Sequence, residues 1–129
     1  MSSPVARQPG RVLIVDDNVD MANLIGTLVQ HCGHESRVVN DAVRSLTVAS
    51  EFKPSIALLD IGLPGMNGFE LARQLRLVPG LEAIKLVALT GYSDEDHRRR
   101  ATEAGFDVHV VKPIALAQLQ SVLNDDRTA

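Results

Sequence analysis

Val12-Leu13-Ile14-Val15-Asp16-Asp17 sets four apolar residues directly against two carboxylates. Four such residues without alternation have strand length, and a strand apolar on both faces is one covered on both faces. The same form returns downstream. Ile56-Ala57-Leu58-Leu59 runs into Asp60, and Leu86-Val87-Ala88-Leu89 runs into Thr90. Arg37-Val38-Val39 and Val108-His109-Val110-Val111 complete the set, and their polar residues suit sheet edges better than the centre.

Helical spacing fills the intervals. Met21, Leu24, Ile25 and Leu28 fall at i, i+3, i+4 and i+7, with Gly33 where a helix C-terminus favours positive φ. Ala42, Leu46 and Ala49 follow Asn40, which reads as an N-cap. Leu71, Ala72 and Leu75 follow Asn67. Ser93 and Asp96 have capping-box spacing ahead of a helix that Gly105 closes. Leu116, Leu119 and Leu123 mark the last helix. Five β-α repeats predict an α/β fold, a doubly wound five-stranded parallel sheet with five helices. Ligands of such sheets lie beyond the carboxyl ends of the strands.

The chain has 129 residues, a formal charge of −3 and 45% hydrophobic residues, which suits one domain with a core of its own. Residues 1–10 read as a disordered leader, 11–124 as the domain and 125–129 as a frayed end. A single cysteine, Cys32, excludes a disulfide framework and a Cys-rich zinc site, and it reads as a small buried or half-buried hydrophobe. No apolar run approaches the roughly 20 residues needed to span a bilayer, and the first residues lack a signal-peptide core, so a cytoplasmic protein without membrane insertion is expected. The acidic balance and 3% aromatic content, with no Trp, argue against nucleic acid as a partner.

The strand ends carry the chemistry. Asp16, Asp17 and Asp60 would converge on one rim, where like charges raise a carboxyl pKa unless a cation intervenes. Mg²⁺ is a hard ion that takes oxygen ligands and keeps open positions. Thr90 and Lys112 flank the carboxylates. Neither serves a bare metal site, and both make sense around an arriving phosphoryl group. A carboxylate can itself take that group as an aspartyl-phosphate. Taken singly, Asp16-Asp17 reads as a turn and cap, Thr90 as a turn residue and Lys112 as a solvated edge residue; only the combination points to function.

That set, with Lys112-Pro113, resembles the receiver domain of two-component response regulators, the CheY-like family. Asp60-Ile61-Gly62-Leu63-Pro64-Gly65-Met66-Asn67-Gly68 is similar to its phosphorylation loop, with Pro64 and Gly68 at the usual offsets. The resemblance covers about residues 11–124. It implies a flavodoxin-like strand order of 2-1-3-4-5. Asp60 would be the phosphoacceptor. Asp17, Asp60 and the backbone carbonyl of Gly62 would ligate Mg²⁺, and Asp16 would orient metal-bound water. Lys112 would pair with a phosphoryl oxygen and precede a cis bond to Pro113. Thr90 would act as the switch.

Two positions depart from the family pattern. His109 stands where Tyr or Phe is frequent, so the aromatic partner of the Thr90 switch is replaced by a smaller, titratable ring. Gly62 leaves the site unshielded two residues after Asp60, where Tyr92 offers partial cover. The resemblance implies a histidine kinase or histidine phosphotransfer protein as donor, and a downstream protein that reads the surface of the fourth helix, fifth strand and fifth helix. A stand-alone regulator and a receiver from a hybrid kinase both remain open.

Two other readings compete. An aspartyl-phosphate phosphatase of the haloacid dehalogenase type needs Asp-x-Asp after the first strand, and the residues here read Asp16-Asp17-Asn18. A non-phosphorylated binding module would not need the intact five-residue set. Arg98-Arg99-Arg100, late in a helix with an acidic first turn, reads as a solvated face. His31, His34 and His97 have no metal spacing and read as surface residues.

Overall fold

A computed structural model describes residues 10–62, 67–91 and 95–124, without the side chains of His97 and Asn124. The expectations for Pro64, Tyr92, Ser93 and the two chain ends fall outside these residues. The elements alternate as the apolar runs require: β1 (Arg11–Val15), α1 (Val19–His31), β2 (Glu35–Val39), α2 (Ala42–Phe52), β3 (Ile56–Asp60), α3 (Gly68–Leu77), β4 (Lys85–Thr90), α4 (Glu95–Glu103), β5 (Val108–Val111) and α5 (Leu116–Asn124). The strands form one parallel sheet in the order β2-β1-β3-β4-β5, with β2 and β5 at the edges.

Alternation along each central strand divides the core in two. Leu13, Val15, Ala57, Leu59, Leu86 and Ala88 face α2, α3 and α4. Val12, Ile14, Ile56, Leu58, Val87 and Leu89 face α1 and α5. A fully buried Leu or Val contributes about 1.5–3 kcal/mol relative to exposure, so any one-residue register slip exchanges both sets at once and is strongly disfavoured. No described helix is long and apolar enough to cross a membrane.

Several local expectations change in the folded chain. In α1 the buried stripe is Ala22, Ile25, Gly26 and Val29, while Leu24 is half exposed. The stripe predicted from the largest side chains is one position out of phase because two small residues, Ala22 and Gly26, pack closest to the sheet; a Cβ on Gly26 would lie 2.9 Å from Val38. Leu116 is likewise half exposed at the start of α5, whereas Leu119 and Leu123 are buried. Asp41, not Asn40, caps α2 by accepting from the Arg44 amide at 3.2 Å. His34 is buried rather than on the surface, and its Nδ1 accepts from the Gly10 amide at 2.9 Å. Cys32 is buried, and His31 is exposed.

Candidate functional site

Parity places the polar strand ends. Asp60 continues the Ile56, Leu58 face of β3, and Asp16 continues the Val12, Ile14 face of β1. Lys112 follows Val110 on that side of β5. Their side chains converge. Lys112 Nζ lies 3.4 Å from Asp16 Oδ2 and 3.5 Å from Asp60 Oδ2. Asp17, the next residue, brings a third carboxylate, so that Asp16, Asp17 and Asp60 each offer an oxygen within 4.8 Å of the others. Thr90 has the opposite parity and faces the α3 and α4 side, where it is buried. It reaches one rung further than Asp60, which pairs with Leu89, while Thr90 pairs with Val111.

The backbone holds these groups in place. The Asp16 amide donates to Val39 O at 3.1 Å, and Asn40 Nδ2 donates to the Asp16 carbonyl at 2.8 Å. The Asn18 amide donates to Asp16 Oδ1 at 2.9 Å, and the Gly62 amide donates to Asp60 Oδ1 at 3.0 Å. The Lys112 amide donates to the Thr90 carbonyl at 2.7 Å, joining β4 to β5 beside the site. The Lys112–Pro113 peptide bond is cis. Gly68 opens α3 directly against Ile61: a Cβ there would lie 2.4 Å from Ile61 Cα, so only glycine fits. Its amide donates to the Ile61 carbonyl at 3.2 Å, which ties the start of α3 to the residue after Asp60.

Charge is unbalanced at this rim. Three ionised carboxylates and one ammonium leave two formal negative charges among the described groups. Burial pushes the Asp16 carboxyl above the usual carboxylate range; the Asn18 amide and Lys112 oppose the shift, and Asp60 adds to it. The donor set is all hard oxygen, and the surplus is that of a divalent cation, so the residues present fit Mg²⁺.

Asp60, Thr90 and Lys112 also border a cavity of about 440 Å³, walled further by Ile61, Gly62, Asn67, Phe69, Gly91 and Arg100. All three arginines of the run are exposed, as the solvated-face reading expects, and Arg100 also borders this cavity. Its guanidinium lies 4.7 Å from the Phe69 ring centroid, whereas Arg99 pairs with Asp96 at 2.6 Å and Arg98 is exposed. The places of Asn40, Phe69 and Arg100 beside the site escaped the sequence analysis. For Asn40 the signal was its place after β2, beside the end of β1; for the other two no local signal existed. His109 lies in β5 opposite Ala88, half-buried and two rungs from the rim.

Comparison with known proteins agrees with this geometry. The family model described as the response regulator receiver domain matches residues 12–124. The DNA-binding response regulator MtrA of Mycolicibacterium paratuberculosis is 32% identical over 125 residues, covering 92% of this chain and 54% of MtrA. The chain thus spans about half the length of such curated relatives. Among solved structures, a CheY-like receiver domain protein of Methanospirillum hungatei is 28% identical with a TM-score of 0.79, covering 90% of this chain and 91% of that one. The receiver domain of the sensor histidine kinase PA1611 of Pseudomonas aeruginosa, solved with magnesium in its active-site cleft, has a TM-score of 0.80 at 24% identity, covering 90% and 95%.

Proposed function

The chain belongs to the response regulator receiver family, and from that premise we propose that residues 11–124 act in the cytoplasm as the phosphoacceptor module of a two-component phosphorelay. The donor is a phosphohistidine on a histidine kinase or phosphotransfer protein. One Asp60 carboxylate oxygen attacks phosphorus, the O–P bond forms and the P–N bond breaks, and the imidazole leaves with the bonding pair. The observation that carries this reading is the placement of Asp60. It ends a wholly buried strand, yet its side chain is 11% exposed, faces Lys112 at 3.5 Å and opens on the cavity.

The other residues supply position and charge. The Gly62 amide fixes one Asp60 oxygen and thereby the rotamer. Lys112 Nζ and the Thr90 hydroxyl are placed to donate to phosphoryl oxygens, as charge-dominated phosphoryl transfer requires. Asp17, Asp60 and the Gly62 carbonyl would hold Mg²⁺, with Asp16 behind them bonding its water. Bound there, the ion supplies neutralisation of the phosphoryl oxygens. Asp16 is a poor nucleophile, since its side chain is fully buried, which disfavours a phosphatase working from the end of β1. Water later attacks phosphorus and restores the carboxylate. The output is a change in the α4-β5-α5 surface, with Thr90 and His109 on the route and a downstream protein as reader.

A small phosphoramidate donor provides the test. The chain should take one acid-stable, base-labile phosphoryl group only when Mg²⁺ is present, and Asp60→Asn should take none. Equal labelling of Asp60→Asn, or labelling indifferent to Mg²⁺, overturns the proposal.

A further inference from the structure

We propose that Arg100 is a second reader of the phosphoryl group: it leaves the face of Phe69, pairs with phosphoryl oxygens on Asp60, and so loosens α4 from α3. The inference rests on the reading of Asp60 as phosphoacceptor and names how the same site is coupled to α4.

Arg100 faces the open volume on which Asp60, Thr90 and Lys112 also border. No backbone has to be displaced for an arginine side chain to extend into a space it already lines. Its present contact is a weak one. The guanidinium stacks 4.7 Å from the Phe69 centroid on an exposed residue, and such exposed cation–π contacts stand at the low end of their range. Among the described residues it forms no ion pair, unlike its neighbour Arg99. A phosphoryl group offers the alternative partner for which a guanidinium is shaped, through bidentate, charge-assisted hydrogen bonds roughly twice as strong as neutral ones. The unphosphorylated carboxylate is a poor rival, because Gly62 and Lys112 already engage its two oxygens. The exchange of partners is therefore favourable only once phosphate is present.

The exchange matters because of where Phe69 sits. Its ring meets Phe106 edge-on, with centroids 6.4 Å apart and planes at 79°. It shares the core with Ala101 of α4 and with Ala104, which follows the helix. Among the described side chains of α4 only Ala101 is buried, so the helix is lightly held, and the Arg100 stack closes its outer edge over α3. Removing that stack transmits the phosphoryl charge to α4 directly, by a route that does not pass through His109.

The test uses the whole chain with Mg²⁺ and beryllium trifluoride as a phosphoryl mimic, and bound fluorine resonances report occupancy. Two readouts follow: the Nε–H resonance of Arg100, and amide exchange of α4 relative to α1. On binding, the resonance should move and α4 should exchange about tenfold faster, the size of a local opening. At equal occupancy Arg100→Met, which keeps the stem over Phe69 without the charge, should lose the α4 response. Arg100→Lys should retain part of it. An unmoved Arg100 resonance, or an Arg100→Met response equal to that of the native chain, overturns the inference while leaving Asp60 as phosphoacceptor. Failure of Asp60 to take phosphoryl label at all overturns both.

Discussion

Lys112 is the residue that offsets part of the negative charge at the rim. It is the described cation within 4 Å of both Asp16 and Asp60. Lys112→Ala leaves the carboxylates and the cavity in place and removes one donor aimed at the phosphoryl oxygens. Loss of a single such donor costs about 10²–10³-fold in rate, so phosphoryl uptake from a small donor should fall by about that factor while Mg²⁺ binding persists. Uptake within threefold of the native rate would take Lys112 out of the reaction. His34 tells a different story at the far end of the sheet. Burial lowers its pKa below the usual 6.5, and Nδ1 must stay unprotonated to accept from Gly10. The folded state thus binds this proton less readily than the unfolded chain. Its contribution to stability is present above about pH 6.5 and is lost as pH falls from there toward the lowered folded value. His34→Gln keeps an acceptor and cannot titrate, so urea midpoints of the variant should decline less between pH 7 and 5 than those of the native chain. Parallel curves would mean that His34 does not report on this range.

At the level of elements, the start of α3 is set against the residue that follows β3 by a close approach at Gly68. With a Cβ at Gly68 placed 2.4 Å from Ile61 Cα, Gly68→Ala must push the start of α3 away from Ile61, the residue after Asp60. Overpacking of this kind costs about 1–3 kcal/mol. Gly68→Ala should lower the urea midpoint accordingly and slow phosphoryl uptake as well, whereas Gly91→Ala, whose Cβ meets nothing within 4 Å, should leave stability unchanged. Equal midpoints for Gly68→Ala and the native chain would contradict the contact. The elements were legible from the sequence where composition alone decides. Three apolar runs without alternation suited central strands, and the two with polar residues suited edges better than the centre. The helix details were less legible because they depend on distance between elements. The phase of α1 follows from Gly26 pressing on Val38, and a count of large apolar residues points to Leu24 instead. Asn40 and Asp41 are both capable caps. The choice between them is made by β1, since Asn40 is drawn to the Asp16 carbonyl and Asp41 is left to the helix.

Across the whole molecule, folding draws residues separated by up to 96 positions onto one rim. The polar ends of the central strands were readable because Asp16-Asp17, Asp60, Thr90 and Lys112 recur together at strand ends, although each alone has a plain structural reading. Phe69 and Arg100 were not, for a stacked pair joining two helices leaves no periodic trace in either. Because the acidic rim exists only in the folded chain, a divalent ion that binds it must stabilise the fold. At tenfold excess over its dissociation constant, Mg²⁺ should add about 1.4 kcal/mol by mass action. Thermal melts should show this increment in the native chain and a smaller one in Asp17→Asn. An equal gain in both would place the ion elsewhere. Finally, the cavity beside Asp60 has a doorway. Gly62 and Gly91 both stand on its wall, and neither carries a side chain. A Cβ added at Gly91 meets nothing within 4 Å. If Asp60 carries the phosphoryl group as proposed, a side chain placed at either glycine would govern how readily water reaches it, and so how long a message survives, without touching the machinery behind it.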